Sequence, residues 1–417
     1  MESRRALGLP LTFLIAASAA PTGCASGELR DEAPRELPHD TEPAARLVAV
    51  DVPGGVKDLA VGDEHVCALI GEGRVSCWGD GRFFQLGDLS TEGRSAPREI
   101  ADLRGVIAIE AGDTATCAQL ASGEVVCWGA RYNGMVDEVY DEVKAPTTVV
   151  HGIEWPRAFA VGGRRAAYVG QDGHVAIWEA PVAVPIPIAG FDDAVEVAVA
   201  YETVCARMKD GAVRCMGPNW GGETGNGGDG EAVEPVDVVG ASELDAALFE
   251  ASYETCGGSP ARDACDRTLQ TAVDLDAWGR LTCAVLASGR VACWGAGRDE
   301  HARWLGSLDF ARVPILVPEL DDAVAVAVGW GHVCALRRDG RVACWGHNET
   351  GQLGSAPEPG APSEASRRPP RDVPGLADAV QIEAGADFTC ARRATGDVAC
   401  WGELPWRERV APDRDTH

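Results

Sequence analysis

The chain has 417 residues, 46% of them apolar, and 37 Lys and Arg against 64 Asp and Glu leave a net charge of −27. That balance argues against nucleic acid or an anionic membrane surface as the main partner, because phosphate recognition needs a basic footprint. Fifteen cysteines cannot all pair within one chain, so one of them needs a separate account.

The first element is a targeting segment. Arg4 and Arg5 precede an apolar run from Ala6 to Ala20, too short for a spanning helix and broken by Pro10. The run ends in Pro21-Thr22-Gly23-Cys24. This resembles a bacterial lipobox, with Pro21 where Leu is usual, and it implies lipidation of Cys24 as the mature N-terminus. The alternative is ordinary cleavage near Ala17-Ser18-Ala19, which leaves Cys24 as a free thiol. We expect a signal peptide over 1–23 and an exported cell-envelope lipoprotein, alternatively a secreted protein. Residues 24–45 carry Pro34, Pro38 and Pro43 among many charges and read as a disordered tether.

From residue 46 onward one unit recurs. HVCALIGEGRVSCWG (65–79), TCAQLASGEVVCWG (116–129), TCAVLASGRVACWG (282–295), HVCALRRDGRVACWG (332–346) and TCARRATGDVACWG (389–402) are plain copies. VCARMKDGAVRCMG (204–217) and AAYVGQDGHVAIWE (166–179) are degraded ones, which makes seven. Each holds a Gly six positions after the first Cys position, from Gly73 to Gly396, and a Val two positions later. An apolar run, a polar-Gly turn and a second apolar run make a β-hairpin, with a three-residue loop closed by a left-handed glycine. The strands are apolar at nearly every position, so both faces should be buried. Each connecting segment offers two more short strands, and four strands per unit of roughly 50 residues is the pattern of a propeller blade. The fold class is all-β, a seven-bladed β-propeller.

The pattern H-x-C-A-L-x-x-D-G-x-V-x-C-W-G, followed by His347-Asn348-Glu349-Thr350-Gly351-Gln352-Leu353-Gly354, resembles the RCC1 (regulator of chromosome condensation) repeat. Phe84-Gln85-Leu86-Gly87 carries part of the second half and Trp304-Leu305-Gly306 a trace. The resemblance implies a ring in which one terminus completes the blade begun by the other. Arg46 to Val50 is suited to that role, and Trp406 to Val410 competes for it.

Six units place two cysteines ten residues apart: Cys67 and Cys77, Cys117 and Cys127, Cys205 and Cys215, Cys283 and Cys293, Cys334 and Cys344, Cys390 and Cys400. A centred turn sets each pair directly opposite across its hairpin, where a disulfide can form. The remaining unit has Ala167 and Ile177 there, so both sulfurs are missing together. Buried reduced cysteines and zinc ligation are the competing readings, and zinc lacks its usual ligand spacing. Cys256 and Cys265 pair in an insertion around 241–276, which leaves Cys24 as the odd one.

Tyr201, Trp220, Trp278, Trp304 and Trp330 lie outside the recurring Trp-Gly position and are candidate partner contacts. Inter-blade packing is the other reading of each. No catalytic motif stands out, no cofactor or metal is implied, and Asn226 to Gly230 reads as a plain Gly-rich turn. Most acidic residues should form a solvated face. The expected function is a monomeric protein-binding or scaffold module, whose only membrane contact is the lipid anchor. The alternatives are guanine-nucleotide exchange, as in the family's eukaryotic members, and a carbohydrate-active enzyme. Clustered carboxylates in the central channel would favour the last.

Overall fold

A computed structural model describes residues 47–133, 138–163, 165–178, 184–228, 230–240, 271–295, 311–356 and 369–406. The chain divides into Met1–Glu42 and a compact unit from Pro43 onward. The leader, Cys24, the tether, Cys256, Cys265 and Trp304 lie outside the described residues.

The compact unit is seven four-stranded antiparallel sheets. We number them as blades in chain order. Their innermost strands are Val56–Val61, Val106–Gly112, Ala158–Val161, Ala194–Val199, Ala272–Trp278, Ala323–Val328 and Ala379–Ala384. Each touches its two neighbours and the last touches the first, so the sheets close into a ring. Closure is made by the N-terminal candidate. Val48–Val50 forms the outermost strand of blade 7 and pairs antiparallel with Val398–Cys400. Trp406 takes a different place, edge-on to Trp78 and Phe388, where it seals the junction between blades 7 and 1.

The hairpins follow the sequence pattern closely. In blade 2, Gly123 donates its N–H to the Leu120 carbonyl, and Leu120 in turn bonds to Glu124. Gly123 stands at φ 93°, where a side chain would be strained. Blades 3 to 7 repeat these bonds. Blade 1 departs: its turn is a short 3-10 segment, Gly71–Gly73, with Glu72 also left-handed at φ 63°. The expected insertion also ends earlier than 276, because Ala272 already begins the innermost strand of blade 5 and its register is set by pairing with Leu286.

The core is divided rather than single. Seven buried clusters lie one at each junction between neighbouring blades. Within each blade the paired cysteines stand directly opposite, Cys67 against Cys77 and Cys390 against Cys400, for example. All six pairs are disulfides with Cα atoms 4.1 Å apart. Ala167 sits opposite Ile177 in the same register.

The channel as candidate functional site

The innermost strand of every blade is a sheet edge, with half of its N–H groups pointing away from its partner strand. Those groups need acceptors. Acids at the third and fifth positions of the inner strands supply several of them, the equivalent positions in the shorter strand of blade 3 being Ala158 and Ala160. Val326 N–H donates to Asp274 at 2.9 Å and Val328 N–H to Asp276 at 2.7 Å. Ile109 N–H donates to Asp58 and Leu275 N–H to Glu196. In blade 7 the third residue is Gln381, whose amide donates to Asp58 Oδ1 at 2.8 Å and the Leu59 carbonyl at 3.1 Å. Glu110 and Glu383 occupy the fifth position in blades 2 and 7. The other positions in these two tiers are alanines: Ala60, Ala108, Ala158, Ala160, Ala198, Ala325 and Ala327. Small residues let the strands approach, and acids bridge them.

Of these carboxylates, Glu110, Glu196, Asp274, Asp276 and Glu383 line a cavity of about 820 Å³. Burial removes water from the charged forms and shifts them upward. Asp274 and Asp276 rise to about 7, chiefly through burial. Glu110 and Glu383 rise well above the ordinary carboxylate range, through burial and then through the other acids across the lumen. Arg207 holds Glu196 at 2.5 Å, and Arg392 bonds to Gln381 at 3.1 Å.

One mouth is crossed by an aromatic bridge. Trp278, at the end of the inner strand of blade 5, donates its indole N–H to Asp63 of blade 1 at 3.2 Å. Blades 1 and 5 are not neighbours, so this bond spans the channel. Trp330 lies beside Trp278 with ring centroids 5.7 Å apart. Tyr201 and Asp113 complete the lining at this end. Backbone bonds tie the rim from blade to blade: Trp330 N–H to Ala386, Ala386 to Asp63, Asp63 to Asp113, and Tyr201 to Gly279. Burial and the neighbouring Asp113 charge keep Asp63 well above its ordinary value, and burial raises Asp113 to about 6.

Three of the five candidate aromatic contacts, Tyr201, Trp278 and Trp330, therefore meet in one place. Trp220 does not join them. It is 61% exposed in the loop between the strands Val213–Gly217 and Ala232–Asp237. Near it, Asn226 accepts from Asn219 and from the Gly228 N–H, so its side chain organises the turn itself. The channel carboxylates stand apart from the solvated face expected of most acidic residues. Their signal was present in the sequence as acids at the third and fifth places of otherwise apolar runs.

A second set of contacts between blades comes from a repeated loop. Asn219 to Gly225 forms the same loop as Asn348 to Gly354. Asn219 Oδ1 accepts the Thr224 N–H and Asn348 Oδ1 the Leu353 N–H, both at 3.0 Å. The carbonyls of Glu223 and Gln352 receive the indole N–H of Trp294 and Trp401 in the next blade. Gln85 serves Trp128 likewise.

Sequence profiles of the family described as Regulator of chromosome condensation (RCC1) repeat match residues 56–85 and 323–352, and residues 72–119 and 339–392. The chain is 35% identical over 136 residues to the probable E3 ubiquitin-protein ligase HERC6 of Homo sapiens, covering 31% of this chain and 13% of that protein. It is 31% identical over 134 residues to the mitochondrial RCC1 domain-containing protein RUG3 of Arabidopsis thaliana, covering 30% of this chain and 27% of that one. The matched region thus spans well under a third of these relatives. Among solved structures, yeast RCC1 (Prp20) bound to Kap60 superposes with a TM-score of 0.61 at 18% identity, covering 84% of this chain and 82% of that one. Prp20p of Saccharomyces cerevisiae, described with its binding to Gsp1p and histones, gives 0.59 at 18% identity, with 84% of each chain covered.

Proposed function

This chain carries RCC1 (regulator of chromosome condensation) repeats, and from that premise we propose that it is a protein-binding module, exported and held at a membrane by a lipid on Cys24. The observation that carries the binding role is the closed ring. Seven separate inter-blade cores fix a disc whose loops keep their positions, the pre-organisation that a large interface rewards. Yeast Prp20 is described with protein partners. That supports this use of a propeller and assigns none of those partners here. Trp220, exposed in its loop, is the proposed anchor.

Export is supported by the leader pattern and by six hairpin disulfides, which persist in oxidising compartments. Two experiments test the proposal. Metabolic labelling with a fatty acid should mark the wild type and not Cys24→Ser, and an unlabelled wild type removes the anchor. Crosslinked capture from the cell envelope should recover a partner that Trp220→Ala or deletion of 241–270 loses. Equal recovery from all three removes Trp220 and the 241–270 segment as recognition elements.

A second reading, a carbohydrate-active enzyme, draws support from the channel carboxylates. It ranks lower because Asp58, Glu196, Asp274 and Asp276 already accept backbone N–H groups. Absence of turnover on a panel of oligosaccharides, or turnover unchanged in Glu383→Gln, disposes of it.

A further inference from the structure

We propose that the central channel binds a linear organic cation with two or more ammonium groups, a polyamine. This is independent of any protein partner on the loops. The cavity, about 820 Å³, falls in the range of small-molecule sites. Two tiers of carboxylates line it, with Glu196 and Asp274 in one and Glu110, Asp276 and Glu383 in the other. Among the described residues no three acids converge on a point that would hold a metal ion. The charge is arranged for an extended ligand.

Glu110 points to that ligand most directly. It is half-buried, it lines the lumen, and its carboxylate has no hydrogen-bond partner among the described residues. The charges acting on it are Asp58, Asp276 and Glu196, all acidic. The arginines near the lumen are engaged elsewhere: Arg207 with Glu196, Arg392 with Gln381, and Arg157 with the Ala194 and Gln171 carbonyls. An ammonium group placed at Glu110 supplies the missing donor and counter-charge.

The two mouths suit the remainder of such a ligand. Trp278 and Trp330 close one end, and with the Trp278 N–H committed to Asp63 the indole offers its ring face to a cation. Val380, second residue of the inner strand of blade 7, lines the lumen and is 44% exposed. Its apolar side chain can face the methylene spacers between ammonium groups. Along an inner strand the two ends lie about 20 Å apart, the scale of an extended tetra-amine.

The test is calorimetric titration of the intact, disulfide-bonded chain with spermine at about 0.15 M salt, where loose surface attraction is screened. One saturable site is expected. Glu110→Gln should weaken it by about tenfold or more, and Trp278→Leu should weaken it too. Asp339→Asn, at an exposed acid in the hairpin turn of blade 6 that pairs with Arg341, should leave it unchanged. Glu110→Gln keeps the side-chain shape and removes charge repulsion, so a melting curve at or above the wild type's is expected and certifies the variant. Spermine should bind tighter than 1,4-diaminobutane, and Mg²⁺ should not displace it. Absence of a saturable site, equal binding by Glu110→Gln, or displacement by Mg²⁺ at equal charge overturns the proposal.

Discussion

Ala167, Ile177 and Met216 share one junction. In each of the other six junctions the disulfide of one blade packs against the recurring Trp of the next, as Cys67 and Cys77 do with Trp128. Between blades 3 and 4 both partners are replaced, and Ile177 lies against a methionine. The two substitutions compensate in volume, because a flexible Met fills the space that a rigid indole would occupy. Both losses were visible in the sequence as separate irregularities. That they face each other was not, since the repeat alignment compares equivalent positions and not neighbouring ones. Ala167→Cys with Ile177→Cys should form a seventh disulfide, read as the absence of free thiols in the oxidised protein. Conversely, Cys334→Ala with Cys344→Ala should cost about 2 kcal/mol in denaturant melts, with no further loss on adding reductant at that blade. His65 and His332 form another pair of cross-blade links, to Thr116 at 2.8 Å and Thr389 at 2.7 Å. Thr116→Val should cost about 1–3 kcal/mol by stranding a buried imidazole nitrogen.

The innermost strands set the pH response. Eight carboxylates there and at the rim are shifted upward: Asp58, Asp63, Glu110, Asp113, Glu196, Asp274, Asp276 and Glu383. Asp274 and Asp276, raised to about 7, and Asp113, raised to about 6, hold protons in the folded ring at pH values where the unfolded chain, titrating near 4, has released them, and the other five shift in the same direction. Folded-state binding of protons means that stability rises as pH falls through this window. Burial lowers His65 to about 4 and His332 to about 3, which works the other way. The unfolded chain protonates these histidines near 6.5, so their contribution shrinks as pH falls. Arg207 and Arg392 temper Glu196 and Asp58. Eight upward shifts outweigh two downward ones. The melting temperature should therefore be higher at about pH 5.5 than at about pH 7.5, and a fall over that interval would contradict the assignment. The hairpins were legible because period, turn glycine and paired cysteines all coincide. The inner strands were legible as strands only. Their acids look like ordinary surface charge until the ring brings seven edges to one axis.

At the scale of the ring, fold and closure were readable and the channel was not. Seven matched units specify seven blades, while a cavity assembled from all seven shows only once their inner strands stand round one axis. Closure depends on three residues. Val48, Ala49 and Val50 cover the edge of Val398–Gly402, and Val50 also enters the core between blades 7 and 1. Removing residues 43–50 should lower the melting temperature well beyond the effect of any single-blade substitution. It should also yield concentration-dependent association through the uncovered edge, measured by light scattering.

That closing strand also sets how the molecule bears load. Any pull on the residues preceding Val48 reaches the ring first through three antiparallel pairs, Val48 with Cys400, Ala49 with Ala399 and Val50 with Val398. Cys390 and Cys400 join the two strands behind it covalently. Under tension the outer strand peels while the disulfide holds the rest of blade 7, so the ring fails as a latch and not as a spring. A force-extension record should show one early, small release of contour length ahead of the rupture of any blade.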